Sequence, residues 1–323
     1  MGSARPAGAA LAAFLLPIAA APVGGDRPAS QPATPAAPPA LRLSAQRLDD
    51  RILVRVDDRT FTTYRFGAGQ KYPYFYPVNG PLSGVSVTTE SSLPWPHHRS
   101  LFFGCDKVNG GNYWQEGNGE GQIVSRGATI VVAGPDHVEI ADECDWRKPG
   151  ESPTLADRRE IRIEAPSPAL RTIRFRIVLV ARTDVRIERT NHSLFAARVA
   201  PELSAEKGGL LLNSAGATGE KGTFGASASW CDVSGERFGL REGLAILDHP
   251  ANRWYPSRWF TRDYGFLSPT PLNWLDDAGL RLAAGERLEL AYLVVVHAGD
   301  AAGAGMQALF SKWAEEPPTA TPR

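Results

Sequence analysis

Cysteine is scarce in this chain of 323 residues, and what there is lies far apart. The three cysteines are Cys105, Cys144 and Cys231, with no C-x-x-C spacing among them. This excludes a zinc knuckle and a thioredoxin-like redox motif. An oxidising compartment would allow one disulfide with one thiol left over. Three buried, unreactive thiols are the alternative.

An excess of charge of either sign is also missing. The chain has 35 Lys and Arg residues against 35 Asp and Glu residues. Without a basic patch there is no argument for a nucleic-acid partner. No segment after the first 21 residues is apolar enough to span a membrane, so the sequence predicts a soluble protein.

Several catalytic and ligand-binding motifs are absent as well. The sequence contains no H-E-x-x-H, no G-x-S-x-G and no phosphate-binding P-loop. The glycines of E-G-N-G-E-G-Q at 116–122 lack a following helix pattern, so they do not indicate nucleotide binding.

The first 21 residues have the pattern of a secretory signal. Arg5 precedes an apolar run from Ala7 to Ala21, and the run ends in small residues. The run is too short to cross a bilayer. Residues 1–21 are therefore predicted to be a signal peptide, and the protein to be exported to the periplasm or secreted.

Composition divides the rest of the chain into three parts. Residues 22–40 are rich in proline and alanine and are predicted to be a disordered linker, because they offer few side chains to bury. Residues 41–316 are long enough for one large domain, and residues 317–323 are predicted to be a loose tail.

Alternation of apolar and polar residues dominates the region 41–316. In Thr172–Ala181 the residues Ile173, Phe175, Ile177 and Leu179 share one face. This period of two is typical of a half-buried β-strand. Further segments share it: 51–56, 59–66, 128–133, 159–164, 185–189 and 286–296. Many strands without interleaved helices predict an all-β, antiparallel sandwich.

One helix is expected near the C-terminus. Asp300 is a predicted N-cap, and Met306, Leu309, Phe310 and Trp313 recur at helical spacing. We expect this helix to lie across a sheet.

Two polar loops stand out from the strand pattern. The first, Pro94–Ser100, contains His97 and His98, whose side chains would point to opposite sides of an extended backbone. The second, Arg189–Phe195, places His192 between two strands, where an imidazole can act as a general acid or base. The alternatives are a hydrogen-bonded loop corner and a capped turn.

A third polar region spans two neighbouring segments. Ile246–Pro250 ends an apolar strand with a carboxylate beside an imidazole, and 254–265 combines aromatic rings with Arg262 and Asp263. Aromatic faces with fixed polar groups suit a sugar. Core aromatics and a structural ion pair are the alternative.

Metal binding is a further hypothesis for the polar loops. His97, His98, His192, His249 and Asp263 supply nitrogen and oxygen donors, but none of the known metal spacings occurs. No cofactor is predicted, and a metal ion is the less favoured hypothesis.

Several segments together resemble a widespread bacterial family labelled "methane oxygenase PmoA". They are 72–78, P-H-H-R-S-L at 96–101, 106–110, 113–116, L-D-H-P at 247–250, R-D-Y-G at 262–265 and 296–300. A membrane-bound methane monooxygenase needs several apolar spans, which this sequence lacks. The resemblance therefore implies a soluble β protein and not methane oxidation.

The chain departs from that family at two places. Trp95 stands where many members have histidine, and Asn191-His192 stands where many have Lys-Glu. The segment Thr190–Phe195 instead resembles the T-N-H-S-Y-F segment of aldose 1-epimerases, whose histidine is the catalytic acid. That resemblance implies a galactose-mutarotase-like supersandwich and a sugar ligand.

The sequence thus predicts an exported, carbohydrate-active protein of epimerase, lyase or hydrolase type. His192 is the predicted acid, His97 or His98 its partner, and Asp248 or Asp263 the base. The predicted substrate-binding residues are Arg99, Glu116, Asn191, His249, Trp254, Trp259, Arg262 and Tyr264. A non-catalytic sugar-binding module and an envelope interaction protein are the rival hypotheses.

Overall fold

Alternating apolar residues form most of the regular structure in the computed structural model, which describes residues 41–318. The predicted signal peptide and linker lie outside the described residues, as do residues 319–323 of the predicted tail. The strands are β1 (Leu43–Leu48), β2 (Arg51–Val56), β3 (Arg59–Arg65), β4 (Tyr74–Val78), β5 (Leu101–Cys105), β6 (Gln122–Ser125), β7 (Thr129–Ala133), β8 (His137–Arg147), β9 (Leu155–Ser167), β10 (Leu170–Ala181), β11 (Val185–Ile187), β12 (Ser193–Arg198), β13 (Leu210–Asn213), β14 (Trp230–Arg237), β15 (Leu240–Asp248), β16 (Trp259–Arg262), β17 (Phe266–Pro269), β18 (Leu280–Leu282) and β19 (Arg287–Ala298).

These strands form two large sheets and one small one. Sheet 1 has the order β1-β2-β3-β4-β5-β12-β17-β16, and sheet 2 has the order β13-β14-β15-β19-β10-β9-β8-β6, with β7 also paired to β8. The strands β11 and β18 form the small sheet. The pairings in sheet 2 are antiparallel, as at β10 against β9 and β19.

The core lies between the two large sheets. Phe175 of β10 lies within 6.5 Å of three rings from sheet 1, those of Phe75, Phe103 and Phe195. Each fully buried ring of this kind contributes roughly 1.5–3 kcal/mol relative to an exposed one. The cross-sheet contacts make the fold an antiparallel β-sandwich, as predicted.

The C-terminal helix, α2 (Met306–Ala314), packs on the outer face of sheet 2. Its buried residues include Phe310 and Trp313, as the helical spacing predicted. The prediction of Asp300 as its N-cap is wrong. The Asp300 side chain instead accepts the Gly303 N–H at 2.8 Å in a preceding turn, and the helix begins after Gly305, whose φ of 67° is left-handed.

A short helix, α1 (Gly219–Thr223), was not expected from the sequence. Its residues, G-E-K-G-T, contain two glycines and no apolar stripe, so no helical periodicity announces it. Among residues 41–318, no helix is both long and apolar enough to cross a membrane.

Candidate active site

The candidate site lies at one end of sheet 1, where β5 ends and β12 begins. Ser193 pairs with Cys105, so the next residues outward are His192 and Asp106. The Asp106 N–H donates to the His192 carbonyl at 3.0 Å, which continues the ladder by one step. Antiparallel pairing therefore places the two side chains next to each other, although 86 residues separate them.

Asp106 and Thr190 hold the imidazole of His192 in one orientation. The Asp106 Oδ2 atom lies 2.9 Å from His192 Nδ1, and Thr190 Oγ1 donates to Asp106 Oδ1. The Thr190 hydroxyl also accepts the His192 backbone N–H at 3.0 Å. Because a carboxylate only accepts, Nδ1 carries the proton and Nε2 is left as the proton acceptor.

The two members of this pair differ in accessibility. The His192 side chain is 23% exposed, whereas that of Asp106 is 9% exposed. Asp106 was not among the predicted site residues, although it lies in one of the segments that carry the family resemblance. Burial beside an exposed imidazole is typical of an orienting carboxylate.

His97 and His98 lie beside His192 and beside each other. Their ring centroids are 4.5 Å apart, and that of His97 is 5.7 Å from that of His192. The prediction that they point to opposite sides is wrong, because the loop turns here instead of extending: the His98 N–H donates to the Trp95 carbonyl. We call the three rings of His97, His98 and His192 the imidazole cluster.

Burial keeps two members of the imidazole cluster uncharged. It lowers the pKa of His97 to about 4, with the charge of His192 as a second cause. It lowers the pKa of His98 to about 2, and the charge of His97 contributes. At neutral pH both rings are therefore neutral and can each donate and accept one hydrogen bond.

Unpartnered polar atoms gather at the same place. Thirteen buried side-chain nitrogen and oxygen atoms in the described part of the chain have no hydrogen-bond partner, and four belong to this region: those of His97, His98, Trp114 and Arg198. Such atoms cost about 1–3 kcal/mol each, so a cluster of them marks a site that is not arranged for stability alone.

Aromatic rings surround the imidazole cluster. The Trp114 ring lies 5.7 Å from that of His192, and those of Phe266 and Tyr264 lie 4.4 and 6.3 Å from that of His98. Trp95 stacks beside His98 at 6.2 Å and is 42% exposed. Trp95 is thus the ring that offers a free face to a ligand.

The backbone around the imidazole cluster is strained. Seven non-glycine residues among 41–318 have positive φ, and three lie next to the site: Ser100 at 58°, Lys107 at 53° and Leu194 at 64°. These conformations cost of order 1–3 kcal/mol and tend to occur at functional sites.

Three further predicted residues lie at the edge of this region. Arg99 pairs with Glu116 at 2.8 Å, and both side chains are partly exposed. Asn191, next to His192, is exposed. These three residues could contact a ligand bound at the imidazole cluster.

The structure does not bring Asp263 into the imidazole cluster. Its Oδ1 atom accepts the Glu220 N–H at 2.7 Å at the start of α1, and Arg262 pairs with Glu220 at 3.1 Å. Both residues thereby fasten α1 to β16. Of this R-D-Y-G segment, only Tyr264 reaches His98.

Asp248 ends β15 of sheet 2, and His249 follows it and packs against the C-terminal helix. Asp248 is fully buried and accepts from Asn252 and from the Ser257 N–H, and burial raises its pKa to about 6. The His249 ring packs on Trp313 at 4.8 Å, and its Nε2 lies 3.0 Å from the Glu316 carbonyl. In the described part of the chain, no hydrogen bond, ion pair or ring contact joins either residue to the imidazole cluster.

The two tryptophans predicted to stack on a sugar are less exposed to solvent than Trp95. Trp259 is completely buried, and its indole donates to the Ala228 carbonyl at 2.8 Å. Trp254 is half-buried, with the Arg253 guanidinium 5.5 Å from its ring centroid.

Residues 41–318 contain no group of three or more His, Cys, Asp or Glu side chains that could hold a metal ion. Cys105, Cys144 and Cys231 are all buried and free.

Comparison with known proteins places the chain in a family. No curated protein matches it. Among solved structures it is similar to the galactose 1-epimerase from Lactobacillus acidophilus NCFM, at 10% identity and a TM-score of 0.40 over 81% of this chain and 99% of that one. It is also similar to the alpha-galactosidase from Lactobacillus brevis, at 10% identity and a TM-score of 0.33 over 84% of this chain and 42% of that one.

A family model matches most of the chain. Residues 51–311 match the model of a family of unknown function, DUF6807. Its description carries no activity, and the resemblance to the family labelled methane oxygenase stays a prediction. The matched range contains both sheets except for β1, together with the whole imidazole cluster, and the chain belongs to the DUF6807 family.

Proposed function

We propose that this protein is a carbohydrate-active enzyme in which His192, oriented by Asp106, transfers a proton to or from a sugar. The observation that carries the proposal is the 2.9 Å contact between Asp106 Oδ2 and His192 Nδ1, with the imidazole partly exposed. Held in this way, Nε2 accepts a proton as a general base and returns it as a general acid.

Each neighbour has a part in this proposal. Neutral His97 forms a hydrogen bond with a sugar hydroxyl and leaves the proton transfer to His192. The exposed face of Trp95 supports the apolar face of a sugar ring. Arg99 and Asn191 lie where hydroxyl groups at the edge of a ligand would be.

The bonding of the nearby carboxylates favours proton transfer by one imidazole over hydrolysis by two carboxyl groups. Glycoside hydrolysis ordinarily uses two carboxyl groups on either side of the scissile bond. At this site Asp106 is bonded to His192 and Thr190, and Glu116 is bonded to Arg99. We therefore favour an isomerase- or lyase-type reaction.

The experiment is a screen followed by a matched pair of variants. Neutral and acidic mono- and disaccharides are screened for a rise in melting temperature, and turnover of each hit is followed by proton NMR. Asp106→Asn should lower turnover by ~10²-fold or more, because orientation and charge support for His192 are lost. Binding without turnover would instead favour a sugar-binding module.

His137 offers the control. Its side chain is 24% exposed and lies 3.4 Å from Glu139, so it matches His192 in exposure and in having an acidic neighbour. We expect Glu139→Gln to leave turnover unchanged. Equal losses in the two variants would contradict the assignment.

Export remains part of the proposal and rests on residues 1–21 alone. Mass spectrometry of the protein from its native host should find the chain cut near Ala21 and in the periplasm or medium. An intact Met1 on protein from the cytosol would contradict it.

A further inference from the structure

Arg198 carries a buried positive charge without a carboxylate partner. The residue is 3% exposed, and in the described part of the chain it forms no ion pair. Its Nη1 atom donates to the Tyr264 carbonyl at 2.7 Å, whereas its Nε atom has no partner. Glu206 acts on this charge only from beyond ion-pair distance. The cost of burying the charge is therefore only partly offset, and a bound anion would recover free energy.

This charge lies directly behind the imidazole cluster. The guanidinium is 4.2 Å from the centroid of the Tyr264 ring, whose other neighbour is His98, nearly parallel at 6.3 Å. Arg198 of β12 also lies opposite Phe266 of β17 in the strand register, and the Phe266 ring packs on that of His98 at 4.4 Å. The positive charge of Arg198 contributes to the lowered pKa of His98, as expected for a short separation.

The remaining charges make the region polarised. The Asp106 carboxylate lies at the His192 end, and Arg99 is neutralised by Glu116. His97 and His98 are uncharged. Among the residues of this region that the structure describes, the buried positive charge that forms no ion pair is therefore at the Tyr264 end, opposite the proposed acid and base.

We propose that the imidazole cluster takes an acidic carbohydrate, with the carboxylate of a uronic acid unit held at the Tyr264–Arg198 end and the reacting part at His192. The inference rests on the proposed function for the reaction, but the preference for an acidic ligand rests on Arg198 alone. The attraction needs no direct contact, because charges interact strongly over several ångströms in a poorly solvated site.

The test compares two disaccharides that differ in charge. Calorimetric titration with digalacturonate and with neutral galactobiose should show at least tenfold tighter binding of the acidic one. Arg198→Gln should abolish that preference, and Arg198→Lys, which keeps the charge, should retain most of it. Equal affinity of the parent protein for both sugars would overturn the inference, as would a preference that survives in Arg198→Gln.

Arg171 provides the control for burial. It is 8% exposed, and its Nη1 atom donates to the carbonyls of Ser167 and Leu170, far from the site. Arg171→Gln should keep the preference for digalacturonate. A loss equal to that in Arg198→Gln would show a general effect of removing a buried arginine and would overturn the inference.

Failure of this inference and failure of the proposed function are distinguishable. His192→Ala should keep the preference for digalacturonate and lose turnover. Turnover of galactobiose with no preference for digalacturonate would overturn only the acidic-ligand inference. Tight binding of digalacturonate without turnover by the parent protein would support that inference and contradict the catalytic proposal.

Discussion

The part of the chain that the structure describes contains two histidine–aspartate pairs with similar nitrogen–oxygen distances in very different surroundings. His192 and Asp106 are 2.9 Å apart with side chains 23% and 9% exposed. His297 and Asp232 are 2.7 Å apart, and both side chains are completely buried. The same two residue types are thus placed once at the end of sheet 1 and once within sheet 2.

The buried pair connects strands that are not neighbours. His297 of β19 reaches across β15 to Asp232 of β14, and Gly243 of β15 lies beneath the imidazole. A Cβ atom at Gly243 would lie 2.8 Å from His297 Nε2, so a side chain there would displace the ring. Burial lowers the pKa of His297, but the hydrogen bond and charge of Asp232 outweigh it and raise the pKa above its usual value.

The difference between the pairs is one of access. The His192 side chain is partly exposed to solvent, whereas that of His297 is completely buried. We therefore propose a chemical role for the His192–Asp106 pair and a structural role for the His297–Asp232 pair.

The largest effect should come from His192→Gln. We expect turnover of the sugar hit to fall ~10²–10⁴-fold, because the general acid or base is lost. The free energy of unfolding should change by less than about 1 kcal/mol, because the side chain is partly exposed. Parallel NMR assays and urea titrations measure both. His137→Gln is the control, and a stability loss as large as that of the buried pair would contradict the comparison.

His297→Leu should do the reverse. Removing one partner of a buried pair leaves an unpaired carboxylate and costs about 3–5 kcal/mol of unfolding free energy. Urea denaturation followed by tryptophan fluorescence measures this. Replacing Asp232 as well, in His297→Leu with Asp232→Leu, should recover much of the loss. No recovery in the double variant would mean that the pair's charge is not the cause.

Thr190→Val should have a smaller effect on turnover. It removes a hydrogen bond to the Asp106 carboxylate, worth about 1.5–3 kcal/mol, so turnover should fall about 10- to 100-fold. Thr190→Ser should restore it, because the hydroxyl returns. A shift in the pH–rate profile of Thr190→Val distinguishes positioning of the pair from a packing effect. An unchanged rate in Thr190→Val would contradict this role.

The smallest effect concerns the pH dependence of stability. The pKa of His297 is higher in the folded than in the unfolded protein. Its contribution to the free energy of unfolding is therefore fully present below the unfolded-state pKa of about 6.5, and it is lost as the pH rises through the folded-state pKa. For one proton, the free energy of unfolding falls by at most about 1.4 kcal/mol per pH unit. Urea titrations between pH 6 and 9 should show this decline in the parent protein and a flatter profile in His297→Leu.

Local patterns predicted the strands and singled out the three histidines of the imidazole cluster. Alternation alone located β2 and most of β10, because burial on one face leaves a period of two in the sequence. The polar interruption at His192 was visible for the same reason.

Long-range pairing was not visible. Asp106 joins His192 only through the register of β5 with β12, and nothing within either segment announces that register. Asp248 was predicted to share the site, but β15 belongs to sheet 2. Trp259 resembles a ligand-stacking ring in sequence, yet it is a core residue, because composition does not tell which face of a strand is covered.

Chemical rescue tests the central claim most directly. His192→Gly removes the imidazole and leaves a space beside Asp106 for a small base. If His192 is the acid or base, added imidazole should restore turnover of the sugar in proportion to the concentration of neutral imidazole. Turnover that stays at the variant's level at every imidazole concentration, while the sugar still binds, would contradict the claim.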